Sequence, residues 1–275
     1  MWLPDPSLRA GAGRAGWRAA ALVAGLVAGL VAAASVQAAS ADRVDPWMVT
    51  TTLSASQLDN GRDDWRGADV DVLYKASPTL RFGGEVERRE RGRSSDTLVT
   101  ASVSANTGRA LEWHAAAGAA PGADFSPERG LSAGVEWRAS PGISLLLDYR
   151  DLRFKAGSVR EIRPGVTFWF GDQTWVTLRY ADGRAFGTAR YQSRSLRLDH
   201  VFADRGRVTL VYAHGADPER DPQLPGVLLT TGDLYAATWR IPLNRTLALV
   251  IGADHEDRRP YYTRTGALLG VALGY

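Results

Sequence analysis

Apolar and polar residues alternate along most of the chain, starting near Trp47. In residues 266–275 every second residue is apolar, and the residues between them are glycine or alanine except for Leu268. A period of two is typical of a β-strand with one face against an apolar medium. The apolar face of this last segment consists of Ala267, Leu269, Val271, Leu273 and Tyr275.

The alternation recurs in about fourteen segments separated by turn residues. Short turns, such as Ser140-Pro141-Gly142, interleave with longer polar loops at 58–64, 90–95, 119–128, 154–158, 182–190, 215–229 and 256–260. An even strand count with this layout predicts an all-β protein: a transmembrane antiparallel up-and-down β-barrel with short periplasmic turns and longer extracellular loops. The predicted strands are 46–57, 65–76, 78–89, 96–106, 109–118, 130–140, 142–153, 159–171, 173–182, 191–203, 206–214, 230–241, 244–255 and 261–275.

Aromatic residues favour the barrel over a soluble β-sandwich of similar strand count. A sandwich buries its apolar face in a protein core and does not need aromatic residues at both strand ends. In a membrane barrel, amphipathic rings gather at the two headgroup levels. The predicted belts are Trp47, Tyr74, Trp113, Trp137, Phe170, Phe202, Trp239 and Tyr275 near the short turns, and Tyr149, Tyr180, Tyr212, Tyr235 and Tyr261 near the long loops.

The N-terminal residues indicate export. Arg9, Arg14 and Arg18 precede an apolar run over 19–36, and Val36-Gln37-Ala38 offers the small residues that a signal peptidase reads. The alternative is an N-terminal anchor helix. We therefore expect a cleaved signal peptide over 1–38, a short periplasmic segment over 39–45 and an outer-membrane barrel domain over 46–275 of a Gram-negative-type bacterium.

Composition excludes several classes of protein. The chain has no cysteine, which excludes disulfides, thiolate metal sites and an acylated lipoprotein N-terminus. The net charge is +3, and much of that excess belongs to the leader. Basic and acidic residues are interleaved, so no nucleic-acid partner is expected. The expected partners are outer-membrane lipid and, through the last strand, the barrel-assembly machinery, while the oligomeric state stays open.

The C-terminal strand carries features of a barrel-assembly signal. Such signals end in an aromatic residue, with a large apolar residue two positions before it and a glycine five positions before it. Tyr275, Leu273 and Gly270 fit this pattern. Leu268 departs from it, because a polar residue is usual at that position.

Residues 46–275 as a whole resemble the YaiO-type outer-membrane barrel family. The resemblance rests on Leu147-Asp148-Tyr149-Arg150, followed by Arg163-Pro164-Gly165-Val166, Trp175-Val176-Thr177-Leu178-Arg179-Tyr180, Tyr212-Ala213-His214-Gly215-Ala216-Asp217-Pro218 and the terminal strand. It implies an outer-membrane location, a single barrel domain and no defined reaction. It also implies a loose association with surface-polysaccharide export.

The polar faces of the strands predict a lumen of mixed charge. These side chains either line an aqueous path for ions or sugars, or pair across strands and fill the interior. Fourteen strands lies between filled eight-stranded barrels and open porins, so strand number does not decide between the two. The candidates are Arg81, Glu85, Glu136, Arg138, Asp148, Arg150, Glu161, Arg163, Arg179, Arg197, Asp199, Arg240, Asp254 and Arg264.

No catalytic motif stands out. Asp199-His200 and Asp254-His255 are sequence neighbours whose side chains point to opposite faces of a strand. We expect no enzyme activity, no catalytic residues, no metal and no cofactor. The favoured function is porin-like passage of small solutes or support of envelope export. Two alternatives stay open: a rim-active hydrolase using His214 with Asp217 or His255 with Asp257, and a recognition barrel acting through loops 119–128 and 215–229.

Overall fold

A computed structural model describes residues 46–59, 61–108, 110–187, 189–203, 206–216 and 230–274. The predicted leader over 1–38, the segment over 39–45 and the terminal Tyr275 lie outside these ranges. Within them, no helix is long and apolar enough to cross a membrane.

The described residues form fourteen β-strands joined in a closed antiparallel barrel. Each strand pairs with its sequence neighbours, and β1 closes the ring on β14, with Met48 opposite Gly274 and Leu58 opposite Arg264. Closure leaves none of these fourteen described strands as a free sheet edge. The strands are β1 (Trp47–Leu58), β2 (Trp65–Lys75), β3 (Leu80–Arg91), β4 (Ser94–Thr107), β5 (Leu111–Ala119), β6 (Arg129–Ser140), β7 (Ile143–Phe154), β8 (Gly157–Phe170), β9 (Thr174–Ala185), β10 (Ala189–Phe202), β11 (Gly206–Ala216), β12 (Thr231–Pro242), β13 (Leu247–Arg258) and β14 (Tyr262–Gly274).

The outer wall of the barrel is apolar. Every second residue on most strands is a large apolar side chain that protein does not cover; Leu131 is 64% exposed and Leu147 is 51% exposed. The barrel therefore turns its apolar face outward, the reverse of a soluble sandwich. Ten of the predicted belt aromatics are exposed on this wall: Trp47, Trp113, Trp137, Phe170, Phe202, Trp239, Tyr149, Tyr180, Tyr212 and Tyr235.

The two ends of the barrel differ in their connections. We call one end of the barrel the turn end, because its connections are short. β1 begins and β14 ends there, and it carries the connections 76–79, 108–110, 141–142, 171–173, 203–205 and 243–246. The opposite loop end carries 59–64, 92–93, 120–128, 155–156, 186–188, 217–230 and 259–261. The longest connections lie at the loop end.

Four connections at the loop end are shorter than the sequence predicts. The predicted loops 90–95, 154–158, 182–190 and 256–260 shrink to two or three residues because the strands continue into them. Runs such as Arg88-Arg89-Glu90-Arg91 are polar on both faces, so the period of two disappears while the backbone ladder continues to Arg91 opposite Ser94. Polarity alone therefore overestimated the length of these loops.

Candidate functional site in the barrel lumen

The fourteen lumen candidates all lie on the strand faces opposite the exposed apolar side chains. On β7, for example, Leu147 and Tyr149 are exposed on the outer wall, while Asp148 between them is 3% exposed. The sequence therefore placed these residues on the lumenal face, while their part in lining a path stays a prediction. The structure adds which of them contact one another.

Three buried carboxylates pair with the lumenal arginines of β7 to β11. Asp148 pairs with Arg179 and with His114, whose Nε2 lies 2.9 Å from Asp148 Oδ1. Asp199 accepts hydrogen bonds from Arg197 Nε at 2.8 Å and Arg207 Nη2 at 2.7 Å. Because each carboxylate has partners on other strands, each of these clusters links two or more strands of the barrel.

Glu161 is the third of these carboxylates. Its Oε1 lies 2.7 Å from Arg150 Nε and 3.4 Å from Arg163 Nε, and its side chain is 4% exposed. On its other oxygen, the Tyr191 hydroxyl donates a hydrogen bond at 2.7 Å. Together the three clusters hold seven of the fourteen candidates: Asp148, Arg150, Glu161, Arg163, Arg179, Arg197 and Asp199.

Glycine makes two of these contacts possible by leaving a gap on the strand between the partners. Gly134 lies in register between His114 of β5 and Asp148 of β7. A Cβ atom at Gly134 would stand 2.2 Å from Asp148 Oδ1 and 2.6 Å from the His114 ring. Gly183 separates Glu161 from Tyr191 in the same way. We call Gly134 and Gly183 the bridging glycines.

The opposite part of the wall, on β2 and β3, is acidic. Asp69 faces Glu87 across the ladder, and Asp71 faces Glu85. Opposed like charges are unfavourable, and only part of this charge is balanced, because Thr52 donates to Asp69 and Arg89 to Glu87. The lumen therefore has an acidic wall on β2 and β3 and ion-paired arginines on β7 to β11. Alternation within single strands does not reveal this division.

The lumen contains a chamber of about 570 Å³ next to the loop end. Seven arginines line it against three carboxylates, so basic groups outnumber acidic ones on its wall, and at least six of these arginines also form ion pairs with carboxylates. Apolar side chains, including Phe125, Leu152 and Phe154, complete the lining. The seven arginines are Arg89, Arg91, Arg150, Arg163, Arg179, Arg258 and Arg264.

The 120–128 connection folds inward over this chamber. The Asp96 carboxylate accepts hydrogen bonds from the backbone N–H groups of Asp124 at 2.8 Å, Phe125 at 2.9 Å and Ser126 at 2.6 Å. These bonds tie the loop to β4. Phe125 is 3% exposed, and the Arg91 guanidinium lies 4.8 Å from its ring centre.

The same guanidinium lies 3.9 Å from the ring centre of Trp65, so Arg91 sits between two aromatic rings. Such cation–π contacts favour a fixed position for the arginine. The sequence pattern marks neither Asp96 nor Arg91 as a site residue. Alternation could place both on the lumenal face, but the loop amides that Asp96 binds are about thirty residues away, at a distance no strand period encodes.

The histidines at the loop end have other partners than the sequence suggested. His214 Nδ1 lies 2.9 Å from Asp233 Oδ1, which also accepts a hydrogen bond from the Tyr212 hydroxyl at 2.8 Å. The suggested partner Asp217 lies outside the described residues. His255 Nδ1 lies 2.9 Å from Thr265 Oγ1, and Asp257 is paired with Arg259.

Of the remaining candidates, Asp254 pairs with Arg264 Nη2 at 3.3 Å. The Arg138 guanidinium lies 5.0 Å from the ring centre of Trp169, and Arg240 Nη2 lies 3.2 Å from Met48 Sδ. Gly270 and Leu273 of the predicted assembly signal lie in β14, which pairs on both sides. Among the described residues there is no group of three or more potential metal ligands.

Comparisons with known proteins show the fold. No family model matches the chain, and no curated relative matches it. Among solved structures, the CymD monoaromatic hydrocarbon channel is similar with a TM-score of 0.55 at 8% identity, covering 85% of this chain and 89% of that one. The chain has the fold of an outer-membrane β-barrel.

Two further structures agree with this result. The Pseudomonas putida toluene transporter TodX gives a TM-score of 0.52 at 8% identity, covering 85% of this chain and 90% of that one. The Acinetobacter baumannii outer membrane protein Omp33 gives a TM-score of 0.50 at 8% identity, covering 83% of this chain and 98% of that one. At such identity the likeness concerns the fold and not the solute.

Proposed function

We propose that this chain is an outer-membrane channel for small organic anions. In this proposal, the exposed apolar wall contacts lipid, the loop end faces the cell exterior, and a signal peptide directs export. The barrel-assembly machinery would recognise the last strand, and the channel has no catalytic step. Membership of the YaiO-type family stays a prediction that rests on the sequence resemblance alone.

The observation that carries the proposal is the basic chamber. Seven arginines face about 570 Å³ of space, against three carboxylates. A cavity whose wall carries an excess of one sign of charge concentrates the opposite ion. Guanidinium groups bind carboxylates through paired N–H donors, and Phe125 and Phe154 offer an apolar surface beside them. A small carboxylate with an apolar part fits both features.

The 120–128 loop adds a size limit. Because Asp96 holds three consecutive backbone amides of this loop, the loop stays over the chamber. A solute that enters from the loop end must pass beside Phe125 and Arg91. We therefore expect a narrow channel that admits small anions and excludes large sugars.

The experiment is a planar-bilayer measurement on refolded residues 39–275 in a potassium chloride gradient. Discrete conductance steps with a reversal potential that indicates chloride preference are expected. Benzoate, an aromatic carboxylate, should carry current or reduce the chloride current by occupying the chamber. A folded barrel that stays silent, or one that prefers potassium, would overturn the proposal.

A charge reversal tests the chamber itself. Arg89→Glu should lower the chloride-to-potassium permeability ratio about twofold or more, because it places a carboxylate in a basic cavity. The matched control is Arg88→Glu, the same charge change on the next residue, whose side chain faces outward and is 57% exposed. Equal effects of the two variants would argue against a selective chamber.

A further inference from the structure

Three arginines form a line on the outer wall of the barrel. Arg160 of β8 lies directly opposite Arg184 of β9, and Arg184 lies directly opposite Arg190 of β10. They share the outer wall with Ile162, 52% exposed, and Tyr180, 43% exposed. Like charges directly opposite each other destabilise a sheet. We call these three residues the arginine row.

Nearby carboxylates balance only part of this charge. Asp151 Oδ2 accepts a hydrogen bond from Arg160 Nε at 3.0 Å, and Asp182 accepts two from Arg190, at 3.0 Å and 2.7 Å. Arg184 has no carboxylate within ion-pair distance among the residues that the structure describes. On the adjoining strands of the same wall, Arg129 and Arg153 also face each other. The patch keeps an excess of positive charge.

The arginine row borders a groove rather than a flat surface. The groove has a volume of about 430 Å³, and Tyr149 and Ile162 supply its apolar part. The β9–β10 ladder sets the spacing of Arg184 and Arg190, and the Phe186 N–H beyond it donates a hydrogen bond to the Ser158 carbonyl at 2.8 Å. The Phe186 ring lies 5.8 Å from that of Phe154. These contacts fix the backbone beside the row, so ordering of that backbone adds little conformational entropy cost on binding.

The position of the row indicates what occupies it. On β7 the outward residue before Asp151 is Tyr149, a member of the aromatic belt, and Asp151 lies opposite Arg160. Aromatic belts lie at the headgroup level of a bilayer, and two strand residues rise only about 6–7 Å. The arginine row is therefore at the height of lipid phosphates, directly above a groove that is apolar on its membrane side.

We propose that the arginine row binds the phosphate of an anionic lipid in the leaflet at the loop end, with the lipid chain against Tyr149 and Ile162. The inference rests on the outer-membrane location given under the proposed function. Guanidinium groups bind phosphate oxygens through parallel N–H donors. Arg184 contributes a cation outside the two ion pairs, and Arg160 and Arg190 direct further N–H groups to the same groove.

The test is native mass spectrometry of the full mature barrel in detergent, titrated with lipid A, with enzymatically dephosphorylated lipid A and with inorganic phosphate. We expect one lipid A to bind, at least tenfold more tightly than its dephosphorylated form. Arg184→Gln should weaken lipid A binding about fivefold or more, and Arg184→Lys should weaken it less because the charge remains. Arg66→Gln, on an exposed arginine of β2 at the same end, is the matched control.

Several outcomes would overturn the lipid site. These are equal binding of both lipid forms, equal weakening by Arg184→Gln and Arg66→Gln, and binding of inorganic phosphate as tight as that of lipid A, which would indicate a free-phosphate site. Folding of each variant is checked by its mobility shift on unheated gels. The row lies outside the lumen, so Arg184→Gln should leave conductance unchanged. A silent barrel that still binds lipid A would refute the channel and keep the lipid site.

Discussion

The hydroxyl group of Tyr191 reaches the carboxylate of Glu161 across an intervening strand, at 2.7 Å. The two residues belong to β10 and β8, and Gly183 of β9 lies between them. Both side chains are buried, with Tyr191 and Glu161 each 4% exposed. A contact of this kind joins three strands through a single hydrogen bond, and its loss is measurable.

Tyr191→Phe should destabilise the barrel by about 1–3 kcal/mol, because it removes a hydrogen bond to a buried charged acceptor. The measurement is urea unfolding of the barrel in lipid vesicles, followed by tryptophan fluorescence. Tyr180→Phe removes the same hydroxyl from an exposed outer-wall residue and should change the stability little. Equal losses in the two variants would contradict an assignment of this energy to the Glu161 contact.

Gly134→Ala should lower the free energy of unfolding more than an ordinary glycine substitution does. The new methyl group would stand within 2.2–2.6 Å of Asp148 and His114, so one of them must move and the buried carboxylate loses a partner. We expect a loss of about 2–4 kcal/mol in the same unfolding assay. Gly84→Ala on β3 is the control, since its added Cβ has no neighbour within 4 Å. If both variants unfold at the same urea concentration, the gap at Gly134 has no energetic role.

Asp96→Asn should loosen the 120–128 loop. The substitution weakens three hydrogen bonds to backbone amides by removing the negative charge of their common acceptor. The expected result is larger or noisier single-channel conductance and faster proteolysis within 120–128, with little change in global stability. Asp124→Asn provides the comparison, because it also removes a carboxylate at this loop. The Asp124 side chain is 56% exposed and pairs with Lys155. A tight, quiet channel in Asp96→Asn would show that other contacts hold the loop.

Alternation predicted the strands, because lipid on one side and polar lumen on the other impose a period of two on every spanning segment, and the interleaved turns and aromatic belts then favoured a barrel. It also placed residues such as Asp148 and Arg179 on the lumenal face. It could not predict that Asp148 binds Arg179 of β9 and His114 of β5, because those contacts depend on register between strands. His214 illustrates the same limit, since its partner Asp233 follows a long connection.

The loop end was the least predictable region. Beyond the apolar belt both strand faces are polar, so the sequence period no longer separates strand from loop. The inward course of 120–128 depends on Asp96, which precedes the loop by two strands' length of chain. The arginine row likewise arises from three separate strands, and no single segment shows that Arg160, Arg184 and Arg190 are neighbours.

The bridging glycines restrict how neighbouring strands can slide during assembly. A slip of one residue moves apolar side chains into the lumen and polar ones toward lipid, which is energetically unfavourable. A slip of two residues keeps every side chain on its correct face, so the alternating pattern does not oppose it. Such a slip would bring a side chain into the gap that Gly134 or Gly183 now leaves for the partners on either side. Glycine thus distinguishes between alignments that hydrophobicity treats as equivalent, and the smallest residue of the lumen acts as a register mark.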